Sequence, residues 1–300
     1  VIPAEWRALP APNVTCVAMA GARTTGKSIY LGVLKQQLEI FADKYGSVLE
    51  MLGDTRAVYD RALGDVIFKD RQILPPTVEI SKSFDAHRPL IYRFVDSTGR
   101  PQILVLRDVA GEDLEDLRNR RPQLAFVSRA DAVIALLDPL KIPELRNVLR
   151  GVVPMGELGG DGVEVLQQVL ELLQLGKPPG VRIPIAVTLS KVDYLHAAAD
   201  VAGEVVRSVM VRPGSPLRRD PSMRTPTYDT VDGDLLHHEI DSLLRMVSGN
   251  RVDNVLRNAA GVYRYFAVSS LGAASDGQSI NTSGIAPFRV LDPVKWILKQ

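Results

Sequence analysis

The sequence predicts a wound α/β fold: a mostly parallel sheet of six strands flanked by helices, with one antiparallel strand from a hairpin at Asp96 to Arg100. Three observations predict it. Short apolar runs alternate with stretches of three-to-four-residue periodicity along the 300 residues, the order that strands with helical crossovers produce. A glycine-rich loop, GARTTGKS at residues 21–28, joins the first apolar run to the first helical one. Hydrophobic residues make up 46% of the chain and charged residues 24%, the balance of an ordinary globular protein with a sizeable core.

Taken in order, residues 1–12 (VIPAEWRALPAP) read as an N-terminal tail, and 13–300 as one domain. The chain begins at Val1 without a signal-peptide pattern, so it reads as a fragment of something longer or a processed form. Val14 to Ala20 is the first strand, with Cys16 as a packing residue inside it. It is the one cysteine of the chain; no internal disulfide can form, and a reducing, cytoplasmic setting is expected. A helix follows from Lys27, with Tyr30, Leu34, Leu38, Phe41 and Tyr45 on one face and Gly46 ending it. A second helix over Thr55 to Lys69 aligns Val58, Ala62, Leu63, Val66 and Ile67. Two strands then meet in a hairpin at Asp96-Ser97-Thr98-Gly99. GEDLEDLRNRR, with acids before arginines, suits a short solvated helix.

Ala132 to Asp138 and Ile183 to Leu189 are two more buried strands, separated by a helix that turns Val163, Leu166, Val169, Leu170 and Leu173 inward. Residues 210–234 are rich in Pro, Gly, Arg and Asp and lack a period, so they read as a mobile surface insertion. A helix from Leu235 to Val247 carries His237 and His238, both expected to face solvent. Tyr263 to Val268 is the last strand, and Pro293 opens a closing helix. The insertions relative to a minimal domain are about 47–74 and 200–233.

The formal net charge of +1 requires neither nucleic acid nor an anionic membrane as partner, and no apolar run reaches the roughly 18–20 residues of an integral membrane segment.

Strand, then G-x-x-x-x-G-K-S, then helix is the setting of a phosphate-binding loop. Backbone N–H groups of Ala22, Arg23, Thr24, Thr25, Gly26, Lys27 and Ser28 would wrap the β-phosphate at the positive end of the helix. Gly21 and Gly26 permit the torsions and close approach that a side chain would block. Lys27 would neutralise phosphate oxygens, and the Ser28 hydroxyl would ligate Mg²⁺. Asp108, at the end of ILVLRD, can hold Mg²⁺ through water; Gly111 leaves an N–H free for a γ-phosphate and lets its loop move. At the end of another strand lie Ser190-Lys191-Val192-Asp193. The Asp193 carboxylate can accept both N1–H and N2–H of guanine, a pair that adenine lacks, while the Lys191 stem lies along the base. Ser269, Ser270 and Leu271 can offer a backbone N–H to guanine O6.

With these residues in place the chain resembles a TRAFAC-class P-loop GTPase, the class that includes the Ras-like proteins. The resemblance runs from Val14 to the C-terminal helix. Five motifs stand in the expected order: GARTTGKS, Pro75-Pro76-Thr77, DVAG at 108–111, SKVD at 190–193 and SSL at 269–271. It implies a P-loop GTPase domain that binds GTP and GDP with Mg²⁺, hydrolyses GTP slowly and acts as a nucleotide-controlled switch toward a protein effector or second GTPase. It makes Thr77 the switch threonine that closes on Mg²⁺ and the γ-phosphate. RVLDPVKWIL (289–298) and the insertions are further similar to bacterial double-GTPase families.

Four departures from the family pattern bear on activity. Ser190 stands where Asn or Thr is usual, losing an amide that ties the base to the phosphate loop. Glu112 stands where Ras-like enzymes place a water-orienting Gln; it either accepts from the water or merely opens a helix. Ser28 and Thr77 are 77 − 28 = 49 positions apart, which leaves room for a helical lid or partner surface. Arg23 sits inside the loop. Guanylate-binding proteins and atlastins carry a loop arginine one place nearer the lysine and use it as an internal arginine finger; Arg23 is the candidate here and Arg71 its rival. Two other readings stay open: a GTP-holding scaffold without turnover, and an ATPase or kinase on the same loop.

Overall fold

The computed structural model describes residues 13–74, 88–109, 124, 126–151, 161–174, 183–199, 204–259, 262–273, 280 and 284–300. The N-terminal tail, Thr77 with its two prolines, Gly111, Glu112 and the charged segment after them lie outside these residues.

Among the described residues seven strands form one sheet: β1 Asn13–Gly21, β2 Glu50–Met51, β3 Leu90–Val95, β4 Pro101–Asp108, β5 Ala132–Leu137, β6 Pro184–Leu189 and β7 Val262–Ala267, in the order β2-β3-β4-β1-β5-β6-β7. The pairs β4·β1, β1·β5, β5·β6 and β6·β7 are parallel, whereas β2·β3 and β3·β4 are antiparallel. The sheet is therefore mixed, and it has one strand more than the six expected. The extra strand is the two-residue β2, too short to show a period.

Alternation along the strands sorts the core into two layers. Ala18 and Ala20 of β1 and Val133, Ala135 and Leu137 of β5 face one side, against helices that include α4 (Gly162–Gln174) and α7 (Thr230–Ser248). Val17 and Met19 of β1 with Ile134 and Leu136 of β5 face the other. There they meet α1 (Lys27–Lys44) and α9 (Asp292–Lys299). Among the described residues, no helix is long and apolar enough to cross a membrane.

The 55–69 segment is helical as expected but not one α-helix. The α2 turn (Thr55–Tyr59) passes into a π-helix over Asp60–Lys69. The wider π turn keeps Tyr59, Leu63 and Ile67 in one row against α1, while Ala62, expected inside, is exposed. The Tyr59 hydroxyl donates to the Gly32 carbonyl at 2.8 Å and fixes the docking.

The segment expected as a mobile surface insertion is instead packed into the fold. Helix α6 (Glu204–Met210) and a 3-10 turn at Pro216–Arg218 shape it, and α7 begins at Thr230, where the Asp229 carboxylate accepts from the Asp232 N–H at 3.0 Å. Arg289, 1% exposed, fastens it. Its guanidinium donates to the carbonyls of Pro216 (2.9 Å) and Arg219 (2.8 Å), to Asp292 (2.7 Å) and to Asp232. The Lys295 ammonium donates to the carbonyls of Ser222 (2.9 Å) and Thr225 (2.7 Å). A charged residue taken out of water needs this many partners, so RVLDPVKWIL is an anchor for the insertion.

His237 also departs from expectation. His238 is exposed, but His237 is half-buried, stacks on Tyr265 with ring centroids 5.3 Å apart, and accepts the Tyr265 backbone N–H at Nδ1 (3.1 Å). It caps a donor of edge strand β7. Burial, then Arg264 and His238, hold its pKa below the ordinary histidine value.

Candidate functional site

The parallel strands end together at one edge of the sheet. β1 lies between β4 and β5, which diverge from it in chain order, and this is where a parallel sheet opens a crevice. The glycine-rich loop leaves β1 at that crevice. A Cβ on Gly21 would sit 2.7 Å from the Leu136 carbonyl oxygen and 2.9 Å from the Thr25 hydroxyl, so no side chain fits. Thr24 (φ 61°) and Gly26 (φ 89°) adopt left-handed torsions. Interleaved with ordinary ones, such torsions gather successive N–H groups into one concavity. The buried Thr25 donates its hydroxyl to the Ala22 carbonyl at 2.9 Å and braces the turn.

Lys27, only 4% exposed, folds back over the loop and donates to the carbonyls of Gly21 (2.7 Å) and Ala22 (3.1 Å). Helix α1 starts at this lysine and has no acidic residue in its first turn, so the positive end of its dipole is not offset there. Arg23 is exposed on the loop, and Ser28 is partly exposed at the second helical position. Asp108 closes β4 opposite Met19, and the Val109 N–H donates to the Met19 carbonyl at 3.0 Å. That puts the carboxylate on the strand beside the one that feeds the loop. Arg71 is exposed with φ 51°, and its carbonyl accepts from the Ile280 N–H at 3.0 Å.

The 190–193 and 269–271 segments come together at the same edge. The Ser190 N–H donates to the Leu137 carbonyl at 2.9 Å, the Val268 N–H to Leu189 at 2.8 Å, and the Val192 N–H to Val268 at 3.1 Å. The Ser190 hydroxyl turns to the Leu137 carbonyl (3.3 Å), so it braces its own loop. Asp193 opens α5 (Asp193–Ala198) and is buried; its Oδ1 accepts the Ser269 hydroxyl at 2.5 Å, while the Ser269 oxygen accepts the Gly272 N–H at 2.8 Å. Burial pushes the Asp193 carboxyl above the usual range, against the Ser269 hydrogen bond. Ser270 and Leu271 are partly exposed beside it, with the Leu271 carbonyl accepting from Ala286 N–H at 2.9 Å.

Lys191 has φ 51°, and its ammonium pairs with Asp138 at 2.6 Å and lies 5.8 Å from the Tyr194 ring centroid. Burial opposes its charge, but Asp138 holds the ammonium above the ordinary lysine value. Sequence reasoning missed Asp138. The signal was there: an acid at the end of a buried strand, directly before a proline. What the sequence does not display is that Asp138 and Lys191, 53 residues apart, touch.

No family model matches the sequence. The chain is 37% identical over 303 aligned residues to "Putative ESX-1 scaffolding and assembly protein SaeC" of Mycolicibacterium smegmatis, covering 99% of this chain and 76% of that protein. Among solved structures, the GTP-bound GTPase-like domain of Ski7 from S. cerevisiae aligns with all of the chain at 12% identity and a TM-score of 0.42. The chain spans about half (52%) of that solved chain.

Proposed function

The chain belongs to the family of SaeC, and from its site we propose that it is a Mg²⁺-dependent guanine-nucleotide-binding protein that hydrolyses GTP slowly and uses the bound nucleotide to control a protein assembly. The observation that carries this reading is one sheet edge holding both a glycine-rich loop with a folded-back lysine and a buried carboxylate locked by a serine.

In this reading the loop amides from Ala22 to Ser28 and the Lys27 ammonium hold the β- and γ-phosphates and stabilise charge on the transferring phosphoryl group. Ser28, Asp108 and Thr77 are hard oxygen donors of the kind Mg²⁺ takes; the ion would neutralise phosphate charge. The Gly111 N–H and Thr77 sense the γ-phosphate, Glu112 orients the attacking water, and Arg23 is the arginine finger in cis. Asp193 selects guanine, with Ser270 and Leu271 closing around O6; Ser269, expected to share that role, donates its N–H to the Phe288 carbonyl and its hydroxyl to Asp193. The Ser269 hydroxyl fixes the Asp193 carboxylate in advance, which lowers the ordering cost when a base arrives.

A second reading is a GTP-holding scaffold without turnover. The name of SaeC, a scaffolding and assembly protein, favours it. Phosphate release from GTP, measured with the purified chain and Mg²⁺, separates the two: release in repeated turnovers supports the enzyme, and stable retention of GTP supports the scaffold. Guanine reading itself is tested by Asp193→Asn. The variant should prefer xanthosine over guanosine nucleotides by roughly a hundredfold or more, because it reverses one donor–acceptor pair in a buried site. An unaltered preference, or tighter binding of ATP than GTP by the parent chain, removes the guanine assignment.

A further inference from the structure

We propose that Asp138 is a positioning residue for base binding: it holds Lys191 so that the lysine stem, and not its ammonium, is the surface a purine meets. The inference rests on the guanine-nucleotide reading and adds to it a residue outside every motif that suggested it.

Asp138 follows β5 and is 2% exposed. Both of its oxygens are committed. Oδ1 accepts the Leu140 N–H at 2.9 Å and caps the 3-10 turn at Pro139–Lys141; Oδ2 takes the Lys191 ammonium at 2.6 Å. Pro139 restricts the chain directly after it, so the carboxylate has little freedom to drift. Lys191, by contrast, carries strain. A non-glycine residue at φ 51° is disfavoured, and the fold keeps it there only because neighbouring contacts over-determine it. Asp138 is one of these contacts. The others are Tyr194, whose ring flanks the ammonium, and Val192, whose N–H is held by the Val268 carbonyl. Asp193, two positions on, is locked by Ser269. Between a pinned backbone and a pinned ammonium the four-carbon stem has few conformations left to it.

Because Asp138 already neutralises the ammonium, Lys191 contributes to holding the base and not to neutralising phosphate. Loss of Asp138 should therefore weaken GTP and GDP by the same factor and leave binding of a base-free polyphosphate unchanged. A residue that merely supports the fold would weaken all three.

The experiment measures binding of GTP, GDP and inorganic tripolyphosphate with Mg²⁺ to the parent chain, Asp138→Asn, Lys191→Met and the double variant. Asn retains an oxygen for the Leu140 cap. The expected result is a loss of roughly tenfold for GTP and GDP alike in each single variant, with tripolyphosphate unchanged and the double variant no weaker than Lys191→Met, since coupled neighbours are not additive. Should Asp138→Asn not fold, Asp138→Ser, which keeps a capping hydroxyl, takes its place. Unchanged GDP affinity, a matching loss for tripolyphosphate, or additive losses in the double variant overturn the inference while leaving the guanine reading intact. A parent chain that binds no guanine nucleotide overturns both.

Discussion

Lys27 and Lys295 are both almost fully enclosed, 4% and 7% exposed, and each donates hydrogen bonds to two main-chain carbonyls: Gly21 and Ala22 for the first, Ser222 and Thr225 for the second. Their surroundings separate them. Lys27 stands at the start of a helix, over a loop six residues long in sequence terms, at the crevice where β1 parts β4 from β5. Lys295 is covered by the 211–229 segment, lies 4.9 Å from the Phe41 ring centroid and shares its pocket with Asp229, Asp232 and Asp292. The same ammonium-on-carbonyl contact can thus be provisional or permanent. Carbonyls at the mouth of a crevice can be exchanged for phosphate oxygens, whereas carbonyls folded over a lysine and flanked by carboxylates form part of the core.

The largest effect should come from the permanent side. Arg289→Met removes the cation that Asp232 and Asp292 share; Asp232 keeps its pair with Arg219, but the buried Asp292 loses its ion-pair partner. Breaking a buried network by removing one partner costs about 3–5 kcal/mol, which urea unfolding of the variant would read. A loss below about 1 kcal/mol would mean that the insertion is held by its apolar contacts, through Leu217 and Tyr228, and that the charge cluster is incidental.

This contrast also marks what the sequence disclosed. Lys27, the strand before it and the helix after it are legible because their whole chemistry lies within eight consecutive residues, and the apolar runs of β1, β5, β6 and β7 show where those strands lie. The touch of Asp193 on Ser269 is half-legible: each lies at a strand end, but only the sheet order makes the strands neighbours. Lys295 and Arg289 are not legible. Apart from Asp292, their partners lie 57 to 73 positions away in a segment whose prolines and glycines suggest looseness, and long-range contacts leave no local period. The π-helix is hidden for a related reason: its width is set by Tyr59 docking on Gly32, a tertiary contact. A histidine in an amphipathic helix gives no sign of a strand edge beside it, so nothing local separates half-buried His237 from exposed His238.

On the provisional side, Lys27→Met should separate binding from stability. On the proposed nucleotide reading a charge-assisted contact to phosphate is lost, so affinity for GTP should fall by about a hundredfold, on the order of 2.7 kcal/mol. Unfolding free energy should change by less than about 1 kcal/mol, since the methionine stem refills the space and the Gly21 and Ala22 carbonyls lie at a crevice that water can reach. Titration calorimetry beside urea unfolding reads both. If stability falls as far as affinity does, Lys27 belongs with Lys295 and the distinction between the two lysines fails.

The smallest effect is the pH response of Lys295. Burial holds its pKa down at about 8, against the attraction of Asp292, Asp220 and Asp229. In the unfolded chain the same amine titrates near the ordinary lysine value, about 10.4. Between those two values the unfolded chain binds more protons than the folded one, so stability rises as pH rises. From about pH 8 to about pH 10 this side chain should add on the order of 1–2 kcal/mol, once solvent screening at the rim of the site is allowed for. The difference in unfolding free energy between the parent chain and Lys295→Met, followed across that window, isolates the contribution from other groups. A flat difference would mean that the carbonyls of Ser222 and Thr225 and the nearby carboxylates hold the proton as firmly as water does, and that the enclosure of Lys295 carries no electrostatic cost.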